Sequence, residues 1–170
     1  MSERSLTIRN RQRTQRVDLK LLRDITNAVL CEELRVDSYD VTVQLVASPE
    51  MARLNETFLG HQGSTDVITF DYADRQQALH GDIIVCVDEA ITQAKRFHAT
   101  WQAELVRYVT HGALHLLGFD DRTAQARRRM KSRENALVRA LARRFVLTKL
   151  ESTDRRRIRP QRAPARRSRR

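Results

Sequence analysis

His111 and His115 stand four residues apart in the segment HGALHLLGFDD, which runs from His111 to Asp121. In a helix that interval puts both imidazoles on one face, one turn apart, so both can reach a single ion. Gly118 follows three residues later, where a left-handed glycine ends a helix and turns the chain back. Phe119, Asp120 and Asp121 come after the turn, and one of the two acids can supply a third ligand. Three ligands from a helix and its exit turn leave a fourth position open, the arrangement of a catalytic zinc. The expectation is one Zn²⁺ per chain, held by His111, His115 and Asp121. An isolated pair of histidines at this spacing is more often two ordinary core side chains. The glycine and the acid at the right intervals weigh toward the metal.

The spacing H-x-x-x-H-x-x-G-x-x-D is that of the metzincin peptidases with an acid as third ligand. A peptidase also needs Glu directly after the first His as general base, and here that residue is Gly112. The ligand geometry is kept and the peptidase base is missing.

The elements that must carry these residues read as follows. Ser5 to Gln12 is a short first strand, and Val17 to Leu34 a helix with Leu21, Leu22, Ile25, Val29 and Leu30 on one face. Val41, Val43 and Leu45 alternate as in a half-buried strand. Ser48 as N-cap and Pro49 at the first helical position begin a helix that runs to about Phe58 and ends at Gly60. Thr65 to Tyr72 and Asp82 to Val87 read as an antiparallel strand pair with a longish loop. Asp88 would cap a helix through Phe97. A longer helix follows from Thr100 to Leu117, and the last helix runs from Thr123 to Leu150. This order predicts an α+β domain over residues 1–150, a small four-stranded mixed sheet packed by about five helices.

The 170 residues carry a net charge of +11, of which residues 151–170, with nine Arg, hold +7. That Arg/Pro/Ser/Ala segment has no periodicity and is expected to be a disordered basic tail. Such a balance suggests a polyanionic partner. Arg127, Arg128, Arg129, Lys131 and Arg133 add a cluster on the first half of the last helix, either a binding surface or a solvated face. No apolar run spans a bilayer and no signal peptide is visible. Cys31 and Cys86 lie in apolar patterns, far apart, and read as buried free thiols. Together these features point to the cytoplasm, with no membrane partner.

At the histidine segment the chain resembles the YbeY family of bacterial endoribonucleases, the rRNA maturation factors. The family motif H-G-x-L-H-L-x-G-Y/F-D-H is matched by HGALHLLGFDD at every specified position except the last. A second block, L-N-x-x-Y/F-R followed by P-T-D/N-V-L/I-S/T-F, corresponds to Leu54–Leu59 and Ser64–Phe70. Gly81-Asp82-Ile83 matches the family's G-D-I strand, and Met130 and Glu134 fall where the family often has Met and Glu. The resemblance covers roughly residues 5–145. Three positions depart from it. Asp121 replaces a His; Asp still ligates zinc, but its charge makes the ion a weaker Lewis acid. Leu59 replaces an Arg; if that Arg helps hold phosphate, this chain must supply the positive charge from elsewhere or be less active. Ser64 replaces a Pro and changes no chemistry.

The resemblance implies a metal-dependent endoribonuclease that cuts single-stranded RNA in ribosomal RNA maturation, at the 3′ end of the small-subunit RNA, and in ribosome quality control. Its partners would be single-stranded RNA, rRNA and the small ribosomal subunit. The general base is left open. Asp66 is one candidate, and it could equally orient a ligand His by hydrogen bonding; Asp120 could do the same work or cap the turn. His61, His80 and His98 read as surface or loop residues. The alternatives are a zinc metallopeptidase, opposed by Gly112, and a non-catalytic ribosome-associated zinc protein, which a fourth protein ligand such as Cys86 would favour.

Overall fold

The structure is a computed structural model that describes residues 3–74 and 78–153. Strand β1 (Arg4–Asn10) leads to helix α1 (Leu19–Asn27), which continues as a π-helical turn, Ala28–Glu33. Strand β2 (Tyr39–Val46) is followed by α2 (Ser48–Leu54) and a second π-helical turn, Asn55–Leu59. Strands β3 (Val67–Asp71) and β4 (Leu79–Cys86) come next, then α3 (Val87–Arg96), α4 (Trp101–Leu116) and α5 (Ala124–Arg144). A 3₁₀ turn, Leu147–Leu150, closes the described helical structure. The fold is α+β, as the element order predicts.

The sheet order is β1-β2-β4-β3. β1 pairs parallel with β2 and β2 with β4, while β3 runs antiparallel to β4, so the sheet is mixed. Alternation along the strands sends Val41, Val43, Leu45, Ile83 and Val85 into one large core with α1 and α4. The opposite face holds a smaller cluster of Val46, Ile68, Ile84 and Cys86 around Met51 of α2. Helix α4 lies between the sheet and α5. Val106, Val109 and Ala113 face the large core, and Leu114 packs on Met130 and Leu137 of α5. A helix covered on two sides is a rigid mount for the residues it carries.

Gly112 explains how close α4 comes to the sheet. A Cβ at this position would lie 2.4 Å from Cγ2 of Ile83 and 3.3 Å from Cγ2 of Thr69. Gly81 of β4 has the same function near the helix end, where a Cβ would meet the Phe70 carbonyl oxygen and Leu116.

Several boundaries differ from the sequence reading. Ala47, not Ser48, is the N-cap of α2, and Asp88 does not cap α3, whose N-cap is Cys86. The reason is one contact: an Asp88 carboxylate oxygen accepts from the Ser48 N–H at 2.6 Å, so the acid of one helix satisfies an orphan donor of another. The last helix stops at Arg144 rather than reaching Leu150. Phe145 is extended, and the turn that follows folds Leu147 and Leu150 into the large core, which a straight helix would not allow. The first residues of the segment expected as a tail are tied to the domain: Glu151 bridges Val17 and the Ser152 N–H donates to the Arg16 carbonyl. Residues 154–170, most of that tail, lie outside the described residues. Cys86 is buried, but Cys31 is only half-buried, with its Sγ 3.1 Å from the Tyr39 hydroxyl. Among the described residues no helix is long and apolar enough to cross a membrane.

Candidate metal centre

Helix α4 places the imidazoles of His111 and His115 edge-to-face, with their Nε2 atoms 2.9 Å apart. The turn after α4 then brings an acid back to them. Gly118 adopts φ +94°, its N–H donates to the His115 carbonyl, and the Phe119 N–H donates to the Leu114 carbonyl. These bonds close the helix end around a left-handed glycine and reverse the chain. Asp121 thereby comes within 3.9 Å of His115 Nε2 through its Oδ2. One donor atom from each of His111, His115 and Asp121 lies within 4.8 Å of the others. Two imidazole nitrogens and one carboxylate are the donor types zinc accepts, so the set fits that ion and leaves room for a further ligand.

Glu134 completes the arrangement from α5. Its Oε2 lies 2.9 Å from His111 Nδ1, and its side chain is almost wholly buried. An ionised Glu134 accepts a hydrogen bond from the Nδ1–H of His111, which leaves the Nε2 lone pair facing His115. Arg107, one turn before His111, donates to Glu134 Oε1 at 2.8 Å and to Asn135 Oδ1 at 2.6 Å. Burial works against charge on Glu134, but the His111 and Arg107 hydrogen bonds outweigh it and hold its carboxyl below the usual range. Burial likewise disfavours charge on His111, yet Glu134 overcomes it and raises that imidazole above its ordinary value. His115 moves the other way, lowered by burial and by the neighbouring His111.

His111 and Asp121 line a cleft of about 740 Å³, with His115 adjoining them. Helices α3 and α5 both pack against α4. Arg127, Arg128 and Lys131 line the cleft from α5, and Gln93 and Phe97 line it from α3 and its end. The basic cluster expected on the last helix is therefore divided. Arg129 lies at a neighbouring hollow beside Phe119 and Asp120, and Arg133 reaches the Glu33 carbonyl.

Asp66 also lines the cleft, but the acid hydrogen-bonded to a candidate ligand imidazole is Glu134. The Asp66 Oδ1 instead accepts from the Thr65 hydroxyl and the Val67 N–H. Sequence alone assigns no function to Glu134; its Met-x-x-x-Glu spacing from Met130 is the available signal, since both are buried on α5. Asp120 caps the turn by accepting from the Arg122 N–H. Cys86 lies between the hydroxyls of Ser48 and Ser64 and is not part of the converging group. Leu59 is half-exposed, and His61, His80 and His98 are on the surface.

Comparison with known proteins places the whole domain in a family. The family model described as Endoribonuclease YbeY matches residues 7–142. The Endoribonuclease YbeY of Finegoldia magna is 32% identical over 142 residues, covering 80% of this chain and 93% of that protein. That of Chlorobium phaeovibrioides is 40% identical over 91 residues, 54% of this chain and 61% of the relative. A solution structure of a Thermotoga maritima protein superposes with a TM-score of 0.63 at 25% identity, over 90% of this chain and 99% of that one. With the family match running from the first strand to the last helix, this chain belongs to the YbeY family.

Proposed function

We propose that this protein is a zinc-dependent endoribonuclease that cuts single-stranded RNA during ribosomal RNA maturation, acting in the cytoplasm with the small ribosomal subunit. The observation that supports the reading is the convergence of His111, His115 and Asp121 beside a cleft that His111 and Asp121 line together with Arg127, Arg128 and Lys131. Held by these three side chains, zinc supplies Lewis acidity toward a phosphodiester and a water of lowered pKa. Arg127, Arg128 and Lys131 bind the RNA backbone and replace the charge that Leu59 does not provide. Glu134 and Arg107 hold His111 in the ligating tautomer and orientation. We assign the general base to Asp66, which lines the cleft and whose two hydrogen bonds among the described residues both fall on Oδ1. A peptidase reading is disfavoured at Gly112, where the required Glu would collide with Ile83.

The test is cleavage of a single-stranded RNA by purified protein of known zinc content. Zinc near one per chain, cleavage abolished by chelation and restored by zinc, and loss of both metal and cleavage in Asp121→Ala are expected. Intact RNA in the presence of fully zinc-loaded protein would overturn the reading.

A further inference from the structure

Phe97 is an exposed aromatic at the edge of the cleft, and nothing in the metal site accounts for it. It is 65% exposed, the highest value among the large apolar side chains described. Phe58 packs edge-on against Phe70 and Tyr72 against His80, whereas the aromatic contact of Phe97 is with a cation, the Arg96 guanidinium 5.6 Å from its ring centre. A solvated Phe forgoes the free energy of burial, so a ring kept at a cleft wall invites a flat apolar ligand.

The surroundings specify that ligand. Gln93, one turn before Phe97 on α3, lines the same wall and carries an amide that can both donate and accept. Tyr108 lines the cleft as well, and its buried hydroxyl has no hydrogen-bond partner among the described residues. A buried unmet hydroxyl is costly, and water or a polar ligand edge reaching it would relieve that cost. The two walls thus differ in chemistry: α3 offers an aromatic face and an amide, and α5 offers cations. A nucleotide has the same division, a flat base with hydrogen-bonding edges on one side and a phosphate on the other.

We propose that Phe97 and Gln93 form a nucleobase subsite, in which one base of the RNA stacks on the Phe97 ring while its backbone lies along Arg127, Arg128 and Lys131. The proposal rests on the RNA-cleaving reading above and adds to it a reason for single-strand preference. A base can lie on Phe97 only after leaving its own helical stack.

The experiment measures binding of short single-stranded RNA to the zinc-loaded full-length protein, at times short against cleavage. One oligonucleotide series carries a single abasic position moved along the strand. Phe97→Ala should weaken binding of intact RNA by at least roughly fivefold. Phe97→Trp should bind as the original protein does. With the abasic position in register with the subsite, the original protein and Phe97→Ala should bind alike. Zinc content and thermal midpoint should be unchanged in both variants, since the ring is exposed. Equal binding by Phe97→Ala and the original protein on intact RNA overturns the subsite, as does a loss of the same size at every abasic register. Failure of the original protein to cleave RNA would instead remove the catalytic reading and leave the binding result to stand alone.

Discussion

His111 and His115 face each other through Nε2 atoms 2.9 Å apart, but only His111 has a carboxylate on its far nitrogen. In the metal-free protein the pair should therefore take up protons in two separated steps, one above and one below the ordinary imidazole value of about 6.5. The raised step stabilises the fold fully below that value and is lost as pH rises through the raised pKa. The lowered step stabilises above that value and is lost as pH falls toward the depressed pKa. Glu134, lowered, adds stability that disappears at more acid pH. Chelated protein should thus be most resistant to denaturant near pH 6.5, and Glu134→Gln should shift the upper step down; two coincident histidine titrations by NMR would contradict this. Asp121 carries a different prediction. Replacing it with His removes a negative charge from the ion, so Asp121→His should keep zinc and raise kcat severalfold in the RNA assay. Loss of metal, or an unchanged kcat, would show that the acid does not limit Lewis acidity. The trio was legible in the sequence because helical period and a helix-ending glycine fix its geometry locally. Glu134 was not legible as the His111 partner, since it comes from α5, 23 residues away, and only packing decides which acid reaches Nδ1.

Helix α4 is held at a distance from the sheet that only glycine at position 112 permits. In an exposed helix Gly→Ala gains roughly 1 kcal/mol. Here the new Cβ would approach Ile83 Cγ2 to 2.4 Å, and overpacking of this kind costs about 1–3 kcal/mol or more. Gly112→Ala should therefore lower the denaturant midpoint, and in an Ile83→Ala background the same change should cost less or become favourable. Additive effects in that double-mutant cycle would mean that helix and sheet separate without resistance. Element positions were largely readable, because α1 and the core strands have clear apolar periods and Thr100 and Thr123 cap α4 and α5 as their types suggest. The misread starts of α2 and α3 have one cause in Asp88, whose target, the Ser48 N–H, is 40 residues away. The break after Arg144 was hidden because Val146, Leu147 and Leu150 continue a helical spacing; the large core, not local propensity, draws the two leucines inward.

Across the whole molecule, two basic regions stand out. Arg127, Arg128 and Lys131 sit at the cleft, where their positions relative to the candidate ligands are fixed by α5. Residues 151–170 hold +7 of the total +11, and the nine arginines responsible all follow Thr153, beyond the point where Glu151 and Ser152 are tied to Val17 and Arg16. Removing everything after Thr153 therefore leaves the contacts among the described residues in place and deletes most of the net positive charge. For single-stranded RNA each neutralised phosphate contributes about −0.7 to the slope of log affinity against log salt. If roughly half of the nine arginines contact phosphate, truncation should make that slope shallower by about 3, while zinc content and the thermal midpoint stay unchanged. Affinity should fall most at low salt, and cleavage at saturating RNA should persist because the cleft is intact. An unchanged slope would confine RNA binding to the cleft, and a loss of zinc would mean that the segment supports the fold.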